Sequence, residues 1–262
     1  MYNEILDIYR DRIDDFFKNV PTFENQLTYD DFNDECFDKM YKENNIEDPK
    51  KVKELKEEIP QLKDMCKKCG AYFMSPRNKS HVKYDVIMGQ FFENILIDYF
   101  TDHLKIKATH GDKSNKKYPD CMILGKDKGI LAYFEVKYHC APFISAIQKI
   151  NRYCYEGSAT LDKAKIERQL EIIESDIERP VFYIHWIDYP CVKGIFFETS
   201  EQVKETLINE KVFERQEREG DLEKNPQSVY KEKIYSKFLE MGTLEELVSI
   251  IKVMQKNGVN MN

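Results

Sequence analysis

Apolar residues recur at two different spacings along this chain, and the change of spacing divides it. Near the start, Ile5, Tyr9, Ile13, Phe16, Phe17 and Val20 recur three and four apart, which predicts an amphipathic helix ending at Pro21. Thr28 is placed to cap a second helix bearing Phe32, Cys36, Phe37, Met40 and Tyr41. Asp48-Pro49 opens a third with Val52, Leu55 and Ile59, and Pro60 kinks or breaks it. Tyr84 to Leu104 reads as another helix, apolar on nearly every face and therefore expected to be covered on several sides.

Beyond it the pattern turns to strands. A short strand is predicted around Lys105–Ala108, then a polar, basic loop from His110 to Lys117. Asp120–Leu124 and Ile130–Tyr138 read as two strands joined by Gly125-Lys-Asp-Lys-Gly129, a hairpin signal. Thr160–Ile177 is an amphipathic helix with Leu161, Ala164, Leu170, Ile173 and Ile177 on its apolar side. Pro180 opens the β-rich run VFYIHWID, and Val192–Glu198 reads as a further strand. Helical pattern returns from about Ser200, a polar stretch covers Gln216–Gln227, and Thr243 caps a last helix reaching Gln255. The order between residues 84 and 198 predicts an α/β fold, a central mixed β-sheet flanked by helices. Around this core (84–200) stand an acidic helical N-terminal lobe (1–83) and a helical C-terminal extension (201–262).

Composition narrows the class. The chain is 42% hydrophobic and 33% charged, as a globular protein is. Its longest apolar-rich stretch, Ile87–Phe100, is broken by Gln90, Glu93 and Asp98, which excludes a membrane span there. The first residues carry acids where a secretory signal would be basic and then apolar, so a cytoplasmic protein is expected. Seven scattered cysteines suggest no disulfide framework. Cys66-Lys-Lys-Cys69 has the spacing of half a zinc site but lacks a second close pair, and ordinary helix-face cysteines are the expectation. The net charge of −7 is uneven: residues 1–65 hold 18 acids and 10 bases, whereas residues 66–117 hold ten bases and five acids. A local positive segment is what matters for a phosphate backbone, so the acidic total does not exclude nucleic acid.

The candidate chemistry lies in the hairpin. Side chains alternate along a strand, so Glu135 and Lys137 share one face while Phe134 and Val136 face a core. The turn brings Asp120 near that pair. Two carboxylates, with the main-chain carbonyl of Val136 between Glu135 and Lys137, suit a hard, oxygen-preferring cation, Mg²⁺ with Mn²⁺ able to substitute. Such a cation polarises a phosphoryl oxygen and acidifies water, and Lys137 is placed to orient or deprotonate that water. Lys105, Lys107, Lys113, Lys116 and Lys117 precede Asp120 and are candidates to grip phosphates. Lys165 and Gln169, four apart on one helix, are candidates to face substrate together. Arg152, Tyr153 and Tyr155 are candidates to contact bases. His139 continues the Glu135 face, and His185 and Trp186 read as core.

Pro119-Asp120, fourteen residues, then Glu135-Val136-Lys137 resembles the signature of the PD-(D/E)XK nuclease superfamily, whose core is the restriction-endonuclease-like fold. The resemblance covers roughly residues 84–198. It implies a metal-dependent endonuclease acting on DNA, with Asp120 and Glu135 as ligands. It also implies a further acid on the first core helix that joins the Mg²⁺ set directly or through water, matched by Glu93 with Gly89 one turn before it, and a glutamine after the third strand that orients the site, matched by Gln169. The aromatic residue usual four positions later is Ile173 here. The size, with lobes around the core and no nucleotide-binding segment, resembles a restriction-type enzyme acting as a homodimer. A repair or recombination nuclease for branched or single-stranded DNA, and an inactive nuclease fold serving as a DNA-binding or assembly module, stay open.

Overall fold

The computed structural model describes residues 1–19, 82–112, 114–115, 118–139, 158–188, 193–216 and 230–257. Strands β1 (Ala108–His110), β2 (Cys121–Leu124), β3 (Ile130–His139), β5 (Val181–Asp188), β6 (Lys193–Thr199) and β9 (Gly242–Thr243) form one six-stranded sheet in the order β1-β2-β3-β5-β6-β9. Only the β3–β5 pair is parallel. Helices α1 (Tyr2–Lys18), α2 (Val82–Asp98) and α5 (Leu244–Asn257) contribute to the core on one face, and α3 (Lys163–Ser175) and α4 (Ser200–Asn209) to that on the other. The predicted mixed sheet between helices is thus what forms.

Alternation along the strands decides which core each residue joins. On β5, Phe182, Ile184 and Trp186 enter the core with Phe92, Ile95, Phe134, Val136 and Leu247, while Val181 and Tyr183 pack with Ile166, Leu170 and Val203. Both faces being covered, every residue from Val181 to Ile187 is buried. Each such large side chain contributes about 2 kcal/mol through burial. Phe92 stacks on Tyr138 with ring centroids 4.0 Å apart and leans on Trp186 at 4.6 Å, tying α2 to the centre of the sheet.

Several local signals read as expected. The hairpin closes with Gly125 donating to the Gly129 carbonyl at 2.8 Å, though the left-handed backbone falls on Lys128 (φ 66°) and not on a glycine. Thr243 caps α5 through a reciprocal pair, Glu246 N–H to its Oγ1 at 3.3 Å and its own N–H to Glu246 Oε2 at 2.7 Å. Thr199 and Gln202 cap α4 in the same way.

Other elements differ. The strand predicted at Lys105–Ala108 begins only at Ala108, because the helix widens into a π-turn over Tyr99–His103 and Lys105 turns the corner at φ 57°. Thr160, predicted to open a helix, lies in a strand, β4 (Ser158–Asp162), and α3 follows it. The C-terminal part is not wholly helical. Between α4 and α5, β7 (Phe213–Gln216) and β8 (Tyr230–Lys237) form with β4 a separate three-stranded antiparallel sheet, β4-β8-β7. The second and third predicted helices, Cys66 and Cys69 lie outside the described residues. Among those described, no helix is long and apolar enough to cross a membrane.

Candidate active site

The β2–β3 ladder ends where Cys121 meets Phe134. Asp120 stands one step further, at the fork where the strands part, and Glu135 is the next residue on the facing strand. Two backbone contacts hold Asp120 there. Gly111 N–H donates to its carbonyl at 2.8 Å, and its own N–H donates to Glu135 Oε2 at 3.1 Å. Gly111 has a steric reason to be glycine, since a Cβ would stand 2.6 Å from the Pro119 carbonyl oxygen. At Gly89 the added atom meets nothing within 4 Å, so packing does not demand glycine there.

Glu135 is 1% exposed, and both its oxygens are engaged. Oε2 takes the Asp120 N–H, while Oε1 takes two ammonium groups, that of Lys137 and that of Lys165 at 2.7 Å. Lys137 rises from the same strand face two residues on, and Lys165 reaches in from the first turn of α3. Exposure grades outward, from Glu135 through Lys137 (20%) to Lys165 (45%). A buried carboxylate is thus compensated by cations that lead to solvent.

The titration behaviour follows from this packing. Burial, then the neighbouring Glu135 charge, pushes the Asp120 carboxyl up to about 7 from its ordinary 3.8. Burial works against ionising Glu135 too, but Lys137 and Lys165 outweigh it and hold this group well below the usual carboxylate range. Burial lowers Lys137, with the Glu135 charge opposing. For Lys165, burial opposes the charge, yet Glu135 prevails and raises it. The two carboxylates are therefore pushed apart, one stable as an anion and the other holding a proton near neutrality.

Gln169 lies one turn past Lys165 on α3, 2% exposed, and accepts from the Tyr183 hydroxyl at 3.4 Å. Tyr183 is the register partner of Glu135 on β5 and pairs in turn with Glu198 on β6. Burial, followed by the charges of Glu135 and Glu198, raises its phenol. On the same face, His139 and His185 ring nitrogens meet at 3.1 Å, and His185 Nε2 reaches Glu198 Oε1 at 2.7 Å. His185 is buried, as a core residue should be, but it is the middle of a polar chain running across the sheet from the end of β3.

The sequence-predicted residues thus divide. Asp120, Glu135, Lys137 and Lys165 come together, and Lys165, expected to contact substrate, bonds the buried glutamate. Val136 lies between Glu135 and Lys137 with its side chain in the opposite core. Glu93 is grouped with His110 and Cys121. Lys107 is exposed on the segment leading into β1, and Lys105 folds its amine back onto the Asp102 carbonyl at 2.6 Å. Lys113, Lys116, Lys117, Arg152, Tyr153 and Tyr155 lie outside the described residues. Gly111, Tyr183 and Glu198 were missed. Glu198 sits near a strand end, where an acid reads as exposed, and only the strand order shows it facing His185.

No protein-family model matches the sequence, and no curated protein matches it. Among solved structures the chain does find a likeness. One described as "Structure of D212, a nuclease from a fusselovirus" is similar over 66% of this chain and 92% of its own, with TM-score 0.37 and 16% identity.

Proposed function

We propose that the chain is a metal-dependent nuclease that hydrolyses phosphodiester bonds in DNA, and that it cuts as a site-specific, restriction-type endonuclease acting as a homodimer. The observation that carries the chemistry is the pairing at the fork: two carboxylates in contact, one of them bearing two ammonium groups that lead outward. Pro119-Asp120 and Glu135-Val136-Lys137 supply the resemblance behind the narrower reading.

The donor set fits a divalent cation. Asp120 and Glu135 offer only hard oxygens, and burial together with the neighbouring Glu135 charge makes an uncompensated anion at Asp120 costly, a cost that a bound cation relieves. Asp120, Glu135 and the Val136 carbonyl would hold Mg²⁺ or Mn²⁺. Such an ion, when bound, polarises a phosphoryl oxygen and acidifies water. Two carboxylates balanced by two lysines make a set of net charge near zero, so an added dication leaves positive charge for a phosphodiester. Lys137, its proton loosened by burial, gives that proton up to solvent and in its neutral form accepts one from the attacking water. Lys165, the outermost cation, bonds a non-bridging phosphate oxygen as charge grows there. Water oxygen bonds to phosphorus as its proton passes to Lys137, the P–O bond to the leaving sugar oxygen breaks, and that oxygen takes up a proton from solvent. Gln169 and Tyr183 fix the floor beneath Glu135.

Incubating the protein with plasmid DNA, a branched junction and single-stranded oligonucleotides, with Mg²⁺ or with chelator, tests the reading. Discrete plasmid fragments that require Mg²⁺ and vanish in Asp120→Ala and Lys137→Ala support it. Preference for junctions or single strands would move the assignment to a repair nuclease. Cleavage undiminished in both variants would refute the site.

A further inference from the structure

Three side chains from three elements converge where α2 crosses β1 and β2. Glu93 of α2, His110 of β1 and Cys121 of β2 offer a carboxylate oxygen, a ring nitrogen and a sulfur, all within 4.8 Å of one another. His110 and Cys121 are direct register partners, so they leave the sheet on the same side. Cys121 packs with Phe134, on the side away from Glu135 and Lys137. It is fully buried, and the other two are half-buried.

A second observation concerns the imidazole. His110 Nε2 meets the side-chain oxygen of Asn94 at 2.8 Å. An amide oxygen only accepts, so Nε2 carries the proton and Nδ1 is the ring nitrogen with a lone pair. A metal-binding histidine is oriented in this way, one nitrogen for the cation and the other donating to an oxygen that fixes the ring.

We propose that Glu93, His110 and Cys121 form a zinc site, with Asn94 orienting the histidine and a fourth position open to water. The mixed oxygen, nitrogen and sulfur set is chemically unlike the all-oxygen set at the fork. A thiolate selects Zn²⁺ or a similar borderline cation over Mg²⁺. Thiolate and carboxylate together neutralise a dication, which permits its burial. Bond lengths of about 2.0–2.3 Å place tetrahedral donors roughly 3.5 Å apart, so donors already within 4.8 Å need approach by at most about 1.3 Å. The location gives the site a task. His110 precedes Gly111, and Cys121 follows Asp120, the pair whose backbone contact at 2.8 Å holds the candidate aspartate. A cation bridging β1, β2 and α2 would pin that pair from behind. This assignment commits Glu93 to zinc and not to the Mg²⁺ set.

The test uses metal-stripped full-length protein titrated with Co²⁺ and displaced by Zn²⁺, with no DNA present, so it does not depend on nuclease activity. One equivalent of Co²⁺ is expected to give tetrahedral colour and a sulfur-to-cobalt charge-transfer band. Cys121→Ser should remove the band, while Cys66→Ser/Cys69→Ser and Asp120→Asn should keep it. Glu93→Gln and His110→Asn, which spare the buried thiol, should weaken Zn²⁺ binding by at least about tenfold. They should also lose the rise in melting temperature that Zn²⁺ gives the parent protein. Absence of the band in the parent protein, or its survival in Cys121→Ser, would overturn the proposal. Should Cys121→Ser not fold, unchanged Zn²⁺ affinity in both other variants would overturn it equally.

Discussion

The proton on Asp120 makes the clearest quantitative demand. Its carboxyl is pushed up to about 7, so in the metal-free protein it is protonated at pH 6 and mostly ionised at pH 8. A cation that binds Asp120 must displace that proton. Calorimetric titration with Mg²⁺ in two buffers of different ionisation enthalpy should therefore show release of about 0.9 proton per ion at pH 6 and about 0.1 at pH 8. Apparent affinity should fall about tenfold per pH unit below 7 and level off above it. Stability gives an independent reading. Because the folded value lies above the ordinary 3.8, the group's contribution is complete below pH 3.8 and is lost as pH rises through about 7. At 1.36 kcal/mol per pH unit the full loss is about 4 kcal/mol, or about 2 kcal/mol when half is screened by solvent at the fork. Glu135 contributes with the opposite sign: its lowered value gives stability present above 4.5 and lost as the solution becomes more acid. The Asp120 window is therefore pH 4–7, and Asp120→Asn should remove it while raising metal-free stability at pH 8. Proton release that is equal at pH 6 and pH 8, or a pH–stability curve unchanged in Asp120→Asn, would show that Asp120 is not held as described.

Three further outcomes can be checked directly. Lys165→Met should cut turnover by about a hundredfold through loss of a transition-state contact, yet shift thermal stability by under about 1 kcal/mol because the Lys165 side chain is 45% exposed and Lys137 still compensates Glu135. Gly111→Ala forces the Pro119 carbonyl to move from a Cβ at 2.6 Å, so it should cost about 1–3 kcal/mol by urea denaturation and weaken Mg²⁺ binding through Asp120. Glu198→Leu leaves the buried His185 N–H unmatched and should cost about 2–4 kcal/mol, whereas Glu198→Gln keeps an acceptor and should cost about 1 kcal/mol.

The sheet, the hairpin and the charged face of β3 were legible because each is written locally. Glu135 and Lys137 obey a period of two, and Gly125 to Gly129 spell the turn. What escaped depends on distant pairing. Leu161 fits a helical stripe as well as it fits β4, and only β8, through the Leu161–Ile234 register, decides for the strand. In β8 itself the outer half is exposed and charged, so YKEKIYSK reads as readily as a helix face. The role of Lys165 was half legible. Helical spacing places it beside Gln169, but its bond to Glu135 depends on how α3 lies over the sheet. Glu93 sits on the predicted helix, yet spacing along one helix does not say which strand faces it, and here the facing strands are β1 and β2.

The strand that β4 borrows from the C-terminal part also sets an order of assembly. Asp120, Glu135 and Lys137 come from a hairpin whose contacts are close in sequence, so they can form early in synthesis. Lys165 hangs on β4 and α3, and β4 is paired only when β8 arrives, with Asp162 and Lys233 joined across 71 residues. A nascent chain that has not yet emerged as far as Tyr230 carries the carboxylates but has no edge to seat the second lysine. Truncation before β8 is therefore expected to leave the proposed site without the support of its outer cation.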